Sequence, residues 1–125
     1  MPPLFLDFGK LKNITALSDE VVPVVVQHAE TKDVLILAYA NRLAINESIK
    51  TRIATFWSTS RNELWVKGST SGNSLALVDI KINCDQNSLL YLVIPNGSGV
   101  CHVINDATGL HYPTCFHRSF DGASV

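Results

Sequence analysis

The sequence predicts a mainly β fold of the β-rich α+β class. Six short apolar runs, rich in Val, Ile, Leu and aromatic residues, are separated by turn-forming clusters. Only one clear segment has apolar residues near helical spacing. At 125 residues the chain suits one domain, residues 1–125, with a modest core.

Each element follows from its residues. In "VVPVVVQHAETKDVLILAYA" two β-branched runs flank a polar stretch from Glu30 to Asp33, which predicts a hairpin. "NRLAINESIKTR" places Leu43, Ala44, Ile49 and Ile53 near helical spacing behind Asn41, a residue type that caps helix N-termini, and predicts a short helix. "IATFWSTS", "ELWVKG", "SLALVDIKIN" and "SLLYLVIPN" read as four further strands, punctuated at Gly72–Asn73 and Asp85–Asn87. From Gly97 onward Gly, Asn, Asp, Thr and Pro recur, which predicts loop.

Composition narrows the function. The apolar fraction of 46% and charged fraction of 17% are those of a soluble, folded chain. A net charge of −1 argues against nucleic acid or an anionic membrane surface as partner, since both reward cationic surfaces. Apolar stretches such as Val34 to Ala40 are too short to span a bilayer. No secretory signal is visible in "MPPLFLDFGKLKN", so a cytoplasmic location is expected. The three cysteines then read as ligands, nucleophiles or buried thiols in place of a disulfide framework.

Two regions carry chemistry. "FWSTSRNELWVKGSTSGN" places Arg61 and Lys67 at the two ends of a strand, with Ser58, Thr59, Ser60, Ser69, Thr70 and Ser71 clustered beside them. Hydroxyls next to cations offer a phosphate charge and short donors together, and a turn at Gly72 allows backbone N–H groups to approach the same anion. The plain alternative is a hairpin with a solvated polar face and inward tryptophans. In "VDIKINCDQNS" strand alternation puts Ile80, Ile82 and Cys84 on one face and Lys81, Asn83 and Asp85 on the other. Cys101, followed by His102, and Cys115, with His111 and His117 nearby, complete a thiol and imidazole set that suits zinc. The spacing matches no compact zinc knuckle, so three unrelated buried thiols remain the alternative.

Together, "FWSTSRNELWVKGSTSGN", "NCDQNSLLYLVI", and "CH" followed by "CF" resemble the phosphoribosyl-AMP cyclohydrolase family of histidine biosynthesis. The upstream "VVPVVVQHAETKDVLILAYAN" is similar to that family's first hairpin. The resemblance implies an intertwined homodimer with a folded-over mixed sheet and one or two short helices. It implies a zinc-dependent hydrolase that opens the purine ring of phosphoribosyl-AMP between N1 and C6. Zinc would be held by Cys84 of one subunit and by Cys101 and Cys115 of the other. His102 would relay protons, and Ser60, Arg61, Lys67, Thr70, Ser71, Gly72 and Asn73 would line the pocket for a substrate bearing two phosphates.

Three departures stand out. The family's magnesium string, D-C-D-x-D, is here Asn83-Cys84-Asp85-Gln86-Asn87, so two of three carboxylates are neutral amides and magnesium is doubtful. The interval between Cys101 and Cys115, thirteen residues, is longer than the family's. His28 stands where an aspartate is common. These departures leave open a paralogue acting on another purine-like or cyclic amidine substrate, or a non-catalytic, zinc-stabilised nucleotide-binding dimer.

Overall fold

A computed structural model of the chain describes residues 4–16, 20–68, 72–97 and 99–120. The elements run α1 (Lys10–Thr15), β1 (Val22–His28), β2 (Val34–Ala40), α2 (Arg42–Thr51), β3 (Thr55–Ser58), β4 (Glu63–Val66), β5 (Leu75–Ile82), β6 (Leu89–Pro95), β7 (Ile104–Asn105) and β8 (Leu110–His111). The main sheet has the order β2-β1-β6-β5, with β1 and β6 parallel and the outer pairs antiparallel, so it is mixed. β3–β4 and β7–β8 form separate two-stranded ribbons. The chain is strand-dominated, as its apolar runs predict.

The β1–β2 hairpin forms where expected, in antiparallel register from Val22↔Ala40 to Gln27↔Val34. Val24 and Val26 are fully buried and the intervening Val25 is not, the alternation of a strand with one covered face. A register shift between Val26 and Gln27 then lets Leu35 and Ile36 both turn inward. At the tip, the Nδ1 of His28 accepts from the backbone N–H groups of Glu30 at 3.1 Å and Thr31 at 3.3 Å. An aspartate carboxylate serves the same purpose in such turns, which gives His28 a structural reason for its place.

Helix α2 begins as its sequence predicts: the Asn41 Oδ1 accepts from Ala44 N at 2.9 Å. Its inward face differs from the expectation. Leu43 and Ile49 are exposed, while Ala44 and Ser48, one turn apart, are buried. These small side chains let the helix approach β3 closely. Ser48 Oγ lies 2.9 Å from Ala44 O and 3.0 Å from Thr55 O, and accepts from Thr55 N at 2.9 Å. Ser48→Ala should therefore cost about 1–3 kcal/mol in a denaturant titration, because it strands a buried N–H. A change within about 0.5 kcal/mol, the size expected of a surface substitution, would mean that the helix relaxes around the loss.

The core gathers Val24, Val26, Ala38, Ala40, Ala54, Phe56, Leu75, Tyr91 and Val93 between α2, the β3–β4 ribbon and the main sheet. Phe56 stands 5.5 Å from Trp65 and 5.7 Å from Tyr91 between ring centroids, so β3 bridges ribbon and sheet. Among the described residues, the other face of the main sheet is left partly uncovered. Val25 pairs directly with Leu37 and with Leu90, and Val25 and Leu37 are solvent-exposed. Beside them a cleft of about 420 Å³ is lined by Val34, Ile82 and Leu89 among others.

The expected Ile80, Ile82 and Cys84 face is not formed. A bulge between Leu77 and Asp79 inserts Val78 into β5 and resets the alternation. Ile80 is half-buried, but Ile82 is 62% exposed, and Cys84 lies beyond the strand end in an exposed turn.

Candidate active site

Cys101 and Cys115 are brought together at the end of the sheet where β1 and β6 finish. Cys101 is buried and follows Val100, a core residue. Its N–H donates to Tyr112 O at 3.0 Å, its carbonyl meets His111 Nδ1 at 2.8 Å, and its Sγ accepts from Val103 N at 3.4 Å. Cys115 is anchored separately, its N–H donating to Leu35 O at 2.8 Å while Thr114 Oγ1 donates to Val34 O at 2.7 Å. The Cys115 thiol is pushed up to about 11. Partial burial of the thiol is the main cause, followed by the charge of Cys101 and a hydrogen bond shared with it that favours the protonated Cys115; the Lys67 charge pulls the other way. Two adjacent thiols suit a divalent metal, whose charge would favour their deprotonated form.

Lys67 belongs to this centre. The sequence groups it with Arg61 as a candidate phosphate-binding cation; it is 8% exposed, with its Nζ 5.9 Å from the Trp65 ring centroid. Its methylene stem is covered while the ammonium faces an aromatic surface. The turn after it closes tightly. Gly68 has φ +76°, and a Cβ there would meet the backbone of Asn73 and Ser74. The Gly72 N–H, expected to face an anion, is instead donated to Gly68 O at 2.8 Å. Asn96 holds Ser74 through its N–H at 2.9 Å and its side chain at 2.8 Å, which places Asn73 at the same end of β6 as the cysteines. Thr70 and Ser71, named from the sequence as pocket residues, lie outside the described residues.

Ser60 and Arg61 sit at the far end of the ribbon. The turn between β3 and β4 places Arg61 Nε 3.3 Å from Ser58 Oγ and 3.5 Å from Glu63 Oε1, with the Ser58 and Ser60 hydroxyls 3.4 Å apart. The length of β4, four residues or roughly 13 Å, separates this cation from Lys67. Trp57, Ser58, Thr59, Ser60 and Trp65 border a cleft of about 200 Å³. The buried Nε1 of Trp57 has no hydrogen-bond partner among the described residues.

His102 is exposed beside Cys101. Sequence reasoning placed His111 only near the cysteines; its bond to the Cys101 carbonyl depends on a hairpin too short to show apolar periodicity.

Cys84 stands apart. It lies in the turn that precedes β6, whereas Cys101 lies beyond the end of that strand. The seven residues of β6 correspond to roughly 20 Å of extended chain. Among the described residues, no group of three or more His, Cys, Asp or Glu side chains converges within one chain. In the Cys84 turn, Asn83 Oδ1 accepts from Asn87 N at 2.9 Å and Ser88 N at 3.0 Å, and Asn83 Nδ2 donates to Asn87 Oδ1 at 2.7 Å. Both amide oxygens are therefore occupied in closing the turn, and Asp85 is left as its one carboxylate.

A mixed sheet that carries two cysteines and a buried lysine at one end defines a small protein of the β-rich α+β class. The sequence profile of phosphoribosyl-AMP cyclohydrolase matches residues 36–117, and the chain belongs to that family. It is 45% identical over 120 residues to the phosphoribosyl-AMP cyclohydrolase of Halobacterium salinarum, covering 96% of this chain and 86% of the relative. The enzyme of that name from Archaeoglobus fulgidus is 45% identical over 105 residues, 84% of this chain and 90% of its own. A histidine biosynthesis bifunctional protein of Thermus thermophilus is 48% identical over 99 residues, 79% of this chain but 42% of the relative.

Proposed function

We propose that the chain hydrolyses phosphoribosyl-AMP in histidine biosynthesis, opening the purine ring between N1 and C6. The active unit is a homodimer. Each site uses Cys101 and Cys115 of one subunit with Cys84 of the partner subunit to hold zinc. The observation that carries this reading is the meeting of two thiols with buried Lys67 at one end of the sheet, while Cys84 lies a strand length away. The apolar outer face around Val25, Leu37 and Leu90 offers a surface for the second copy.

When bound, zinc supplies Lewis acidity that brings a water within reach of deprotonation near neutral pH. The chain's own groups do the remaining work. Ser60 and Arg61 at one end of the ribbon, and Lys67 and Asn73 at the other, hold the two phosphates and so orient the purine between them. His102 takes a proton as water adds to C6 and returns it to N1 as the N1–C6 bond breaks. A spectrophotometric assay with phosphoribosyl-AMP, run with zinc and with a chelator, tests the proposal. Zinc-dependent ring opening supports it, and zinc binding without turnover would favour the nucleotide-binding dimer.

Magnesium does not fit the Asn83–Asn87 turn. A hard cation needs charged oxygens, and two of the three candidate ligands are amides already engaged. Titration of metal-stripped protein should give tight zinc binding and no magnesium binding below the millimolar range. Micromolar magnesium binding lost in Asp85→Asn would show that the turn opens to accept it. A paralogue that works on another cyclic amidine without magnesium is the second reading this closed turn favours.

A further inference from the structure

The additional residues between Cys101 and Cys115 form a brace. β7 and β8 pair as Ile104↔His111 and Asn105↔Leu110, and the turn between them is closed by Gly109 N donating to Asn105 O at 2.8 Å. The ribbon thereby returns His111 and Tyr112 to Cys101. Both backbone polar groups of Cys101 are then occupied, the N–H by Tyr112 O and the carbonyl by His111 Nδ1. A carbonyl only accepts, so Nδ1 carries the proton and Nε2 of the neutral ring keeps its lone pair. The other side of His111 is held as well, because a Cβ at Gly99 would meet the His111 backbone and Cβ. Only glycine permits this approach. Tyr112 in turn stacks on His117 at 3.7 Å, tying the brace to the segment just after Cys115.

We propose that His111 is a positioning residue, which fixes the main chain of Cys101 and thereby the direction of its thiol towards Cys115. The role rests on the reading of both cysteines as zinc ligands. It also gives the long interval a purpose: without its returning strand, nothing in the described chain would donate to the Cys101 carbonyl.

Zinc affinity, measured by competition with a chromophoric chelator on the full chain, tests this in three proteins. His111→Leu keeps bulk and removes the donor, and should weaken zinc about 10–100-fold, the usual range for groups that orient a ligand. It should also shift the thiolate bands of the cobalt-substituted protein. His111→Asn places a side-chain N–H near the position of Nδ1 and should recover most of the affinity. Equal affinity in His111→Leu and the parent would overturn the proposal, as would Asn rescuing no better than Leu. Nitrogen NMR of the metal-free chain gives a separate check: the His111 ring should carry its proton on Nδ1, and an Nε2–H tautomer contradicts the bond. A parent protein that binds no zinc would sink the metal reading and this role together, whereas a null His111→Leu effect sinks this role alone.

Discussion

Alanine at Cys101 or Cys115 should remove bound zinc and ring-opening activity together. Loss of a group that merely orients a ligand costs about 10–100-fold in metal affinity, so loss of the ligand itself should exceed that range. Stability of the metal-free chain should respond unequally. Cys101 is buried against the core end of Val100, so Cys101→Ala leaves a small cavity. Cys115 is exposed, and its removal should leave the denaturant midpoint of the metal-free protein nearly unchanged. Metal analysis and the assay on Cys115→Ala are therefore the cleaner pair. Full activity in that variant would remove Cys115 from the site.

Lys67→Met should give the second-largest effect. Methionine keeps an apolar stem against Trp65 while deleting the charge, so the variant should fold. A charge-assisted bond to phosphate is worth about 1.5–3 kcal/mol, so affinity for AMP in a calorimetric titration should fall roughly 10–150-fold. Zinc binding should weaken too, because the charge that draws the Cys115 thiol towards ionisation is gone. Arg61→Ala should cost less, since Arg61 is exposed and shares Glu63. Unchanged AMP affinity in Lys67→Met would return this lysine to a purely structural part.

The strands were legible because β-branched runs broken by turn residues have few other folds to enter. The Asn41 cap was legible because capping needs only local geometry. What was hidden depended on tertiary context. Alternation along β5 predicted an Ile80, Ile82 and Cys84 face, but one inserted residue, Val78, resets it, and bulges have no strong local signature. Helical apolar spacing pointed to Leu43, Ala44, Ile49 and Ile53, whereas close packing on β3 keeps Ala44, adds Ser48 and leaves the other three exposed. α1 has no apolar stripe to announce it.

The site was legible as motifs and opaque as geometry. The hydroxyl and cation string marked a candidate phosphate-binding segment, yet it did not show that Lys67 is buried beside the thiols while Arg61 lies a strand length away. The amides at Asn83 and Asn87 were visible as lost charges. Their engagement with each other was not, because it depends on the conformation of the closed turn.

A site shared between two chains is tested most directly by a mixed dimer. Cys84→Ala and Cys101→Ala chains, carrying different tags and co-expressed, can be purified as the heterodimer by two affinity steps. In a two-fold dimer with shared sites, one site of the heterodimer lacks both cysteines and the other is intact. Each homodimer should be inactive and hold no tightly bound zinc. The heterodimer should hold one zinc per dimer and show about half of the parent's specific activity. A heterodimer as inactive and zinc-free as the two homodimers would contradict the shared site.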